Sequence, residues 1–346
     1  MSAKFAADLN LVREFVFDEI EAGRGYLAKS IQDRFHVSRP TAHNYLRRFV
    51  DSGDISRTGR GQYDLVHEIH ELLFLVDGLE EDRVWSEEID PLLRELPRNV
   101  RDIWHYGCTE MINNVIDHAN SKIVEILVDK TARSTRISVS DAGIGIFRKI
   151  ASALKLDDDR HAVVELAKGK VTTDPENHTG EGIFFSSRVF DHYLIISGEV
   201  LFTHDKDSDQ DWIFGGEDPQ EEIRGTVVIM EIRNSSKKTL QDVFDQYATD
   251  TEDYRFDKTI VPIRLMTYGD DRLVSRSQAK RLLSRIDRFR HVILDFDGVD
   301  AIGQAFADEI FRVFANKNPK IEIVPIQANE QVSRMISRAT RKSTDS

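Results

Sequence analysis

Apolar positions recur three or four residues apart through the first fifty residues, a spacing that turns one side of each helical segment toward a core. Leu9, Val12, Phe15, Val16 and Ile20 predict a helix over residues 5–22. A shorter helix is expected over residues 27–35, followed by a turn at Val37-Ser38-Arg39. Ser38 is placed to cap a third helix, and Pro40 is tolerated in its first turn. In that helix, which runs to about residue 51, Ala42, Tyr45, Leu46, Phe49 and Val50 lie on one side, and Arg39, Thr41, His43, Asn44 and Arg47 mostly on the other. The period then shortens, and residues 55–65 read as two short strands around a Gly/Arg tip. Residues 66–100 read as helical, with Trp85, Leu92 and Leu93 as core contacts.

Further along, residues 135–140 alternate as a strand does, with Ile137 and Val139 on one face, and residues 226–232 form a second strand-like run. The last part of the chain predicts a helix over residues 277–289, a buried strand leading into a helix over residues 291–316, and a further strand at residues 321–326. Strand, helix and strand in alternation imply a small α/β layer. The tail after Met335, rich in Ser, Arg and Lys, is expected to fray.

A chain of 346 residues is long enough for two or three domains. It contains no apolar run of about 18 residues and no signal-peptide pattern, so no membrane association and a cytoplasmic location are expected. The single cysteine, Cys108, excludes an intramolecular disulfide and is read as a small core residue. The net charge of −13 argues against a surface that coats nucleic acid, but the charge is uneven. Between Gly23 and Tyr63, eight Lys/Arg stand against three acids, a local balance of +5 that leaves −18 on the rest. An acidic protein with one basic corner directs a polyanion to that corner.

Three short strings carry the candidate chemistry. In Glu110–Asn120 a helix places Glu110, Asn114, Asp117 and His118 along one face, while Met111, Ile112, Val115, Ile116 and Ala119 face the core. A lone Glu-x-x-x-Asn pair is usually solvated, but four polar groups in adjacent turns of a half-apolar helix need partners. The strand at residues 135–140 ends in Asp141-Ala-Gly143-Ile-Gly145, a carboxylate with two glycines where backbone must approach something closely. Gly180 and Gly182 directly precede a helix-like run, the arrangement in which backbone N–H groups receive phosphate.

In order and chemistry these strings resemble the GHKL ATPases, the superfamily of gyrase B, Hsp-type chaperones, mismatch-repair ATPases, sensor histidine kinases and anti-sigma-factor kinases. The resemblance implies ATP and Mg²⁺ as cofactors, with Asn114 the metal ligand and Glu110 the general base. It makes Asp141 the acceptor of the adenine amino group, and Gly143 and Gly145 the shapers of the base pocket. Gly180 and Gly182 would border the phosphates, Asp117 would complete the first string, and Gly225-Thr226 would be the last motif, near the adenine-binding Asp. Residues 147–178 would be a mobile lid, in which Lys168 and Lys170 are solvated or else reach a phosphate.

The first 66 residues resemble a winged helix-turn-helix. That implies duplex DNA as a partner, with Arg39, Thr41, His43, Asn44 and Arg47 facing the major groove and Arg57 and Arg60 on the wing. Residues 292–314 resemble the STAS fold and its poorly characterised relatives. Gln304 stands where partner-switching members carry a phosphoaccepting Ser, so this region is expected to serve as a surface for a protein partner or a homodimer. The fold class expected is therefore α+β multidomain: a winged helix over residues 1–66, a GHKL α/β sandwich with a helical lead-in over 67–252, and a STAS-like α/β domain over 253–341. The function expected is an ATP-binding regulator coupled to DNA, with an anti-sigma-factor-like Ser/Thr kinase as the alternative. A sensor histidine kinase fits poorly, because no dimerisation helix with an acceptor His precedes the motifs.

Overall fold

The computed structural model describes residues 8–171, 180–205, 210–215, 223–248, 256–266 and 273–340, with backbone alone at 210–215 and 223. Residues 5–7 of the first expected helix, residues 172–178 of the expected lid, and the tail beyond Thr340 lie outside these. The chain is mixed α and β and divides into two compact units, the smaller made of residues up to Leu72 with Leu127–Ile137 and Glu231–Ser236, the larger of the rest.

In the smaller unit, helices α1 (Leu9–Glu21), α2 (Leu27–Phe35) and α3 (Arg39–Asp51) precede an antiparallel hairpin, β1 (Ile55–Gly59) and β2 (Gln62–Leu65), with Ile55 opposite Leu65. The caps are those the sequence specifies: the Ser38 hydroxyl accepts the Thr41 N–H at 3.3 Å and Pro40 sits in the first turn of α3. Val12, Val16, Phe17, Leu27, Ile31, Ala42, Leu46 and Phe49 form the core, each large side chain contributing about 1.5–3 kcal/mol on burial. Val50, expected in this core, is instead 38% exposed. Arg133 is buried and ion-paired to Asp18 (2.7 Å) and Glu21 of α1.

Residues 66–100 are not the continuous helix expected. They hold strand β3 (Glu68–Leu75), a short α4 (Glu81–Arg83), a π turn at Val84–Ile89 and a 3₁₀ turn at Asp90–Leu93. Trp85 and Leu93 are buried as anticipated, whereas Leu92 is only half-buried. Beyond α5 (Arg98–Asn114) come β4 (Ile123–Lys130), β5 (Ser134–Asp141), α6 (Ile146–Leu154), α7 (Asp159–Lys168), α8 (Gly182–Val189), β6 (His192–Gly198), β7 (Val200–Asp205), β8 (Gln210–Gly215), β9 (Ile223–Arg233) and α9 (Leu240–Tyr247). A seven-stranded sheet takes its strands in the order β3-β4-β5-β9-β6-β7-β8. In the larger unit α5 buries Ile103, Trp104, Cys108, Met111 and Ile112, with Trp104 4.7 Å from the Phe190 ring.

The C-terminal part of the larger unit is a three-stranded parallel sheet of β10 (Lys258–Pro262), β11 (His291–Asp295) and β12 (Glu322–Ile326), in which Ile260 pairs with Ile293 and Ile293 with Val324. Parallel strands need long crossovers. α10 (Arg276–Leu282) supplies the first. A helix that starts at Gln304 as α11 (Gln304–Asp308), widens into a π turn and ends as α12 (Ala315–Lys317) supplies the second. The segment after Met335 does not fray at once: α13 (Glu330–Thr340) continues through it and buries Val332 and Ala339. Among the described residues no helix is long and apolar enough to cross a membrane.

Candidate functional site

Glu110, Asn114, Asp141, Gly145, Gly180, Gly182 and Thr226 come together around one cavity of about 290 Å³ within the larger unit. Val115, Val139, Ile150, Leu166 and Val228 supply apolar walls. Each polar group is brought there by a short-range device. Beyond Asn114 the helix widens into a π turn, Val115–Ala119. Such a turn advances each residue by less than the 100° of an α-helix, so the fourth residue after Asn114, and not the third, returns to the Glu110 face. His118 accordingly lines the cavity, and Asp117 is exposed and does not. That departs from the expected face, which assumed an unbroken α-helix.

Asp141 ends β5 with its carboxylate folded back on the turn, where Oδ1 accepts the Gly143 N–H at 2.7 Å. Burial pushes its pKa up, while the N–H groups of Gly143 and Thr226 pull it back. Two glycines make this possible. A Cβ on Gly143 would lie 2.0 Å from the Ala119 carbonyl oxygen, and one on Gly225, whose φ is +81°, would lie 2.1 Å from that of Asp141. Gly143 itself is not among the residues that line the cavity. Gly145 opens α6 at φ +83°, and the next N–H, of Ile146, donates to the Thr226 hydroxyl at 3.0 Å.

Across the cavity, Gly182 starts α8 directly against the carboxylate of Glu110: a Cβ there would meet Glu110 Oε2 at 1.8 Å. Burial drives the Tyr193 and Tyr106 hydroxyls far above the usual tyrosine range, and the nearby Glu110 charge adds to the effect. A second cavity of about 380 Å³ shares Glu110 and Gly182 and is lined by Tyr106, Glu181, Phe185, Phe244 and Phe256. Sequence reasoning missed both tyrosines and also Lys149, which lines the first cavity and donates to the His118 carbonyl at 2.9 Å. Its signal was weak, a lysine in the first turn of a helix.

Residues 278–333 match the family described as a STAS-like domain of unknown function (DUF4325). The C-terminal part of the chain is a STAS-like domain. The match runs from α10 to α13 and takes in β11 and β12. Within the STAS-like domain Gln304 opens α11 and its side-chain amide donates to Asp308 at 3.0 Å. No curated protein matches the chain. Among the described residues no group of three or more His, Cys, Asp or Glu side chains is arranged to hold a metal.

In the smaller unit Arg39, His43, Asn44 and Arg47 are exposed along α3, and Arg57 and Arg60 on the hairpin. Thr41 is half-buried, its hydroxyl 2.8 Å from that of Ser38. None of these four arginines enters an ion pair among the described residues, although Arg57 donates to the Gly59 carbonyl at 3.0 Å.

Proposed function

We propose that the larger unit binds Mg·ATP in a GHKL-type site and that the chain is an ATP-dependent regulator whose N-terminal winged helix binds duplex DNA. The observation that carries this reading is the convergence of Glu110, Asn114, Asp141, Gly180, Gly182 and Thr226, from four separate sequence segments, on one apolar-walled cavity.

The residues fit the nucleotide. Asp141 already takes the Gly143 and Thr226 N–H groups, and at about 1–3 kcal/mol for buried acceptor capacity left unmet it would gain from a further N–H, as the adenine amino group has. Val115, Val139, Ile150 and Val228 suit a flat base. Asn114 offers one amide oxygen to Mg²⁺, and phosphates and water would supply the other positions. Bound Mg·ATP supplies a phosphoryl group whose charge the cation neutralises. Glu110 would hold and deprotonate the attacking water, at the start of α8 where backbone N–H groups favour anions. On α3 and the hairpin, the exposed Arg39, His43, Asn44, Arg47, Arg57 and Arg60 suit a major-groove helix with a flanking wing.

The alternative, a Ser/Thr kinase acting on a protein partner, draws on the STAS-like domain. With Gln304 at the acceptor position, the phosphorylated residue would belong to another chain.

A calorimetric titration tests the reading. The wild-type protein should bind Mg·ATP and Asp141→Asn should not, with unchanged circular dichroism; equal affinity in the two overturns the adenine assignment. Label passing from γ-labelled ATP to a protein partner would favour the kinase.

A further inference from the structure

Lys168, expected to be solvated or else to reach a phosphate, is instead 1% exposed. Its ammonium lies 2.6 Å from Glu165 Oε1, one turn back on α7, and donates to the Ser284 carbonyl at 2.8 Å. Its own carbonyl accepts the Thr259 hydroxyl at 2.7 Å. At the other end of α7, His161 Nε2 is 2.7 Å from an Arg281 nitrogen and accepts from it, since a guanidinium only donates; burial and that charge lower the imidazole pKa. Just beyond α7, Arg288 donates to the Lys170 carbonyl at 2.6 Å. Arg281, Ser284 and Arg288 all belong to the STAS-like domain.

The same helix is a wall of the candidate nucleotide cavity, which it lines through Leu166, with Val171 following. A buried ammonium held by one carboxylate and the carbonyls of Arg281 and Ser284 tolerates little displacement, since a shift leaves a buried charge unpaired. We infer that Lys168 is a positioning residue for the nucleotide cavity: it fastens α7 to the STAS-like domain, so that this domain sets where the cavity wall stands. A partner seated on the STAS-like domain, or a rearrangement of it, then changes nucleotide affinity through α7 without touching the nucleotide. The inference rests on the nucleotide reading above. Burial lowers the Lys168 pKa, and the Glu165 carboxylate beside it opposes the shift.

Two substitutions in the full chain test it, Lys168→Met and the milder Thr259→Val, read by amide exchange of residues 159–168 and by calorimetry with Mg·ATP. Lys168→Met should speed exchange in α7 and weaken Mg·ATP binding by about tenfold, or 1.4 kcal/mol. Thr259→Val should move both in the same direction by about threefold, and exchange in α1–α3 should stay unchanged in both variants. Should Lys168→Met fail to fold, Thr259→Val alone decides. Faster exchange with unaltered nucleotide binding overturns the inference, as does unaltered exchange. A wild-type protein that binds no Mg·ATP defeats the nucleotide reading and this inference with it; a binding wild type whose variants bind equally well defeats the inference alone.

Discussion

The cavity of the larger unit and the basic face of the smaller one are built in opposite ways. The cavity gathers groups from residues 110 to 228, encloses them in apolar walls and depends on glycines where one added carbon would overlap backbone. The basic face is written in a single stretch from Arg39 to Arg60, and its arginines project into solvent from a helix and a hairpin that are complete without them. Crowded parts fail together, because removing one leaves its neighbours desolvated or displaced. Exposed charges act nearly independently, and on the proposed reading each would meet one phosphate or one base edge.

Substitutions that should behave alike if this contrast is false sharpen it. The largest effect is expected from Glu110→Ala, which should keep Mg·ATP binding and lower turnover by about 10²–10⁴-fold; a wild type that never hydrolyses ATP would leave Glu110 without that role and mark the protein as a sensor. Next is Gly143→Ala. Its Cβ falls 2.0 Å from the Ala119 carbonyl oxygen, which cannot swing away as a side chain would, so denaturant unfolding should show a loss of about 2–3 kcal/mol. On the basic face, replacing Arg57 and Arg60 together should leave folding untouched. The log-log salt dependence of duplex binding should flatten by about 1.8, roughly 0.9 for each phosphate lost. No duplex binding at low salt would retire the DNA reading.

The smallest effect separates function from stability at one atom. Burial raises the Asp141 pKa, so the folded state favours its protonated form, and ionisation opposes folding as pH rises through that pKa. Asp141→Asn, which abolishes nucleotide binding on the reading above, should therefore raise the unfolding midpoint slightly at neutral pH. That gain should vanish as pH falls below the ordinary aspartate range near about 3.9. A lower midpoint at neutral pH would show that the Gly143 and Thr226 hydrogen bonds outweigh desolvation.

Much of the smaller unit was legible because its signals are local. The Ser38 cap, the first-turn Pro40 and the period of Val12, Val16, Leu46 and Phe49 fix α1–α3 within a few residues, and the strands β5, β11 and β12 announce themselves by β-branched runs. β3 was hidden because its sequence, Glu-Ile-His-Glu-Leu-Leu-Phe-Leu, lacks strict alternation. It leaves Ile69, Leu73 and Leu75 exposed, and it is a strand only because it lies beside β4, which begins some fifty residues later. Lys168 was misread because charge alone suggested solvent. The better clue was its setting, a Glu three residues earlier within the apolar run Ala162, Val163, Val164, Leu166 and Ala167. Asp117 was misplaced because a π turn leaves no mark that periodicity detects.

That turn also makes the cavity a matter of arithmetic. A π turn accommodates one residue more than an α turn, so the stretch from Asn114 to Asn120 is one residue longer than a regular helix requires. Loss of a single codon at Ile116 would remove no cavity-lining side chain, yet it would draw His118 and Ala119 back by one position. Their carbonyls would then leave Lys149 and Ile144, which they meet at 2.9 Å each. The chain thus stores part of its site in residue number, a quantity that substitution scanning never varies and that insertions and deletions read directly.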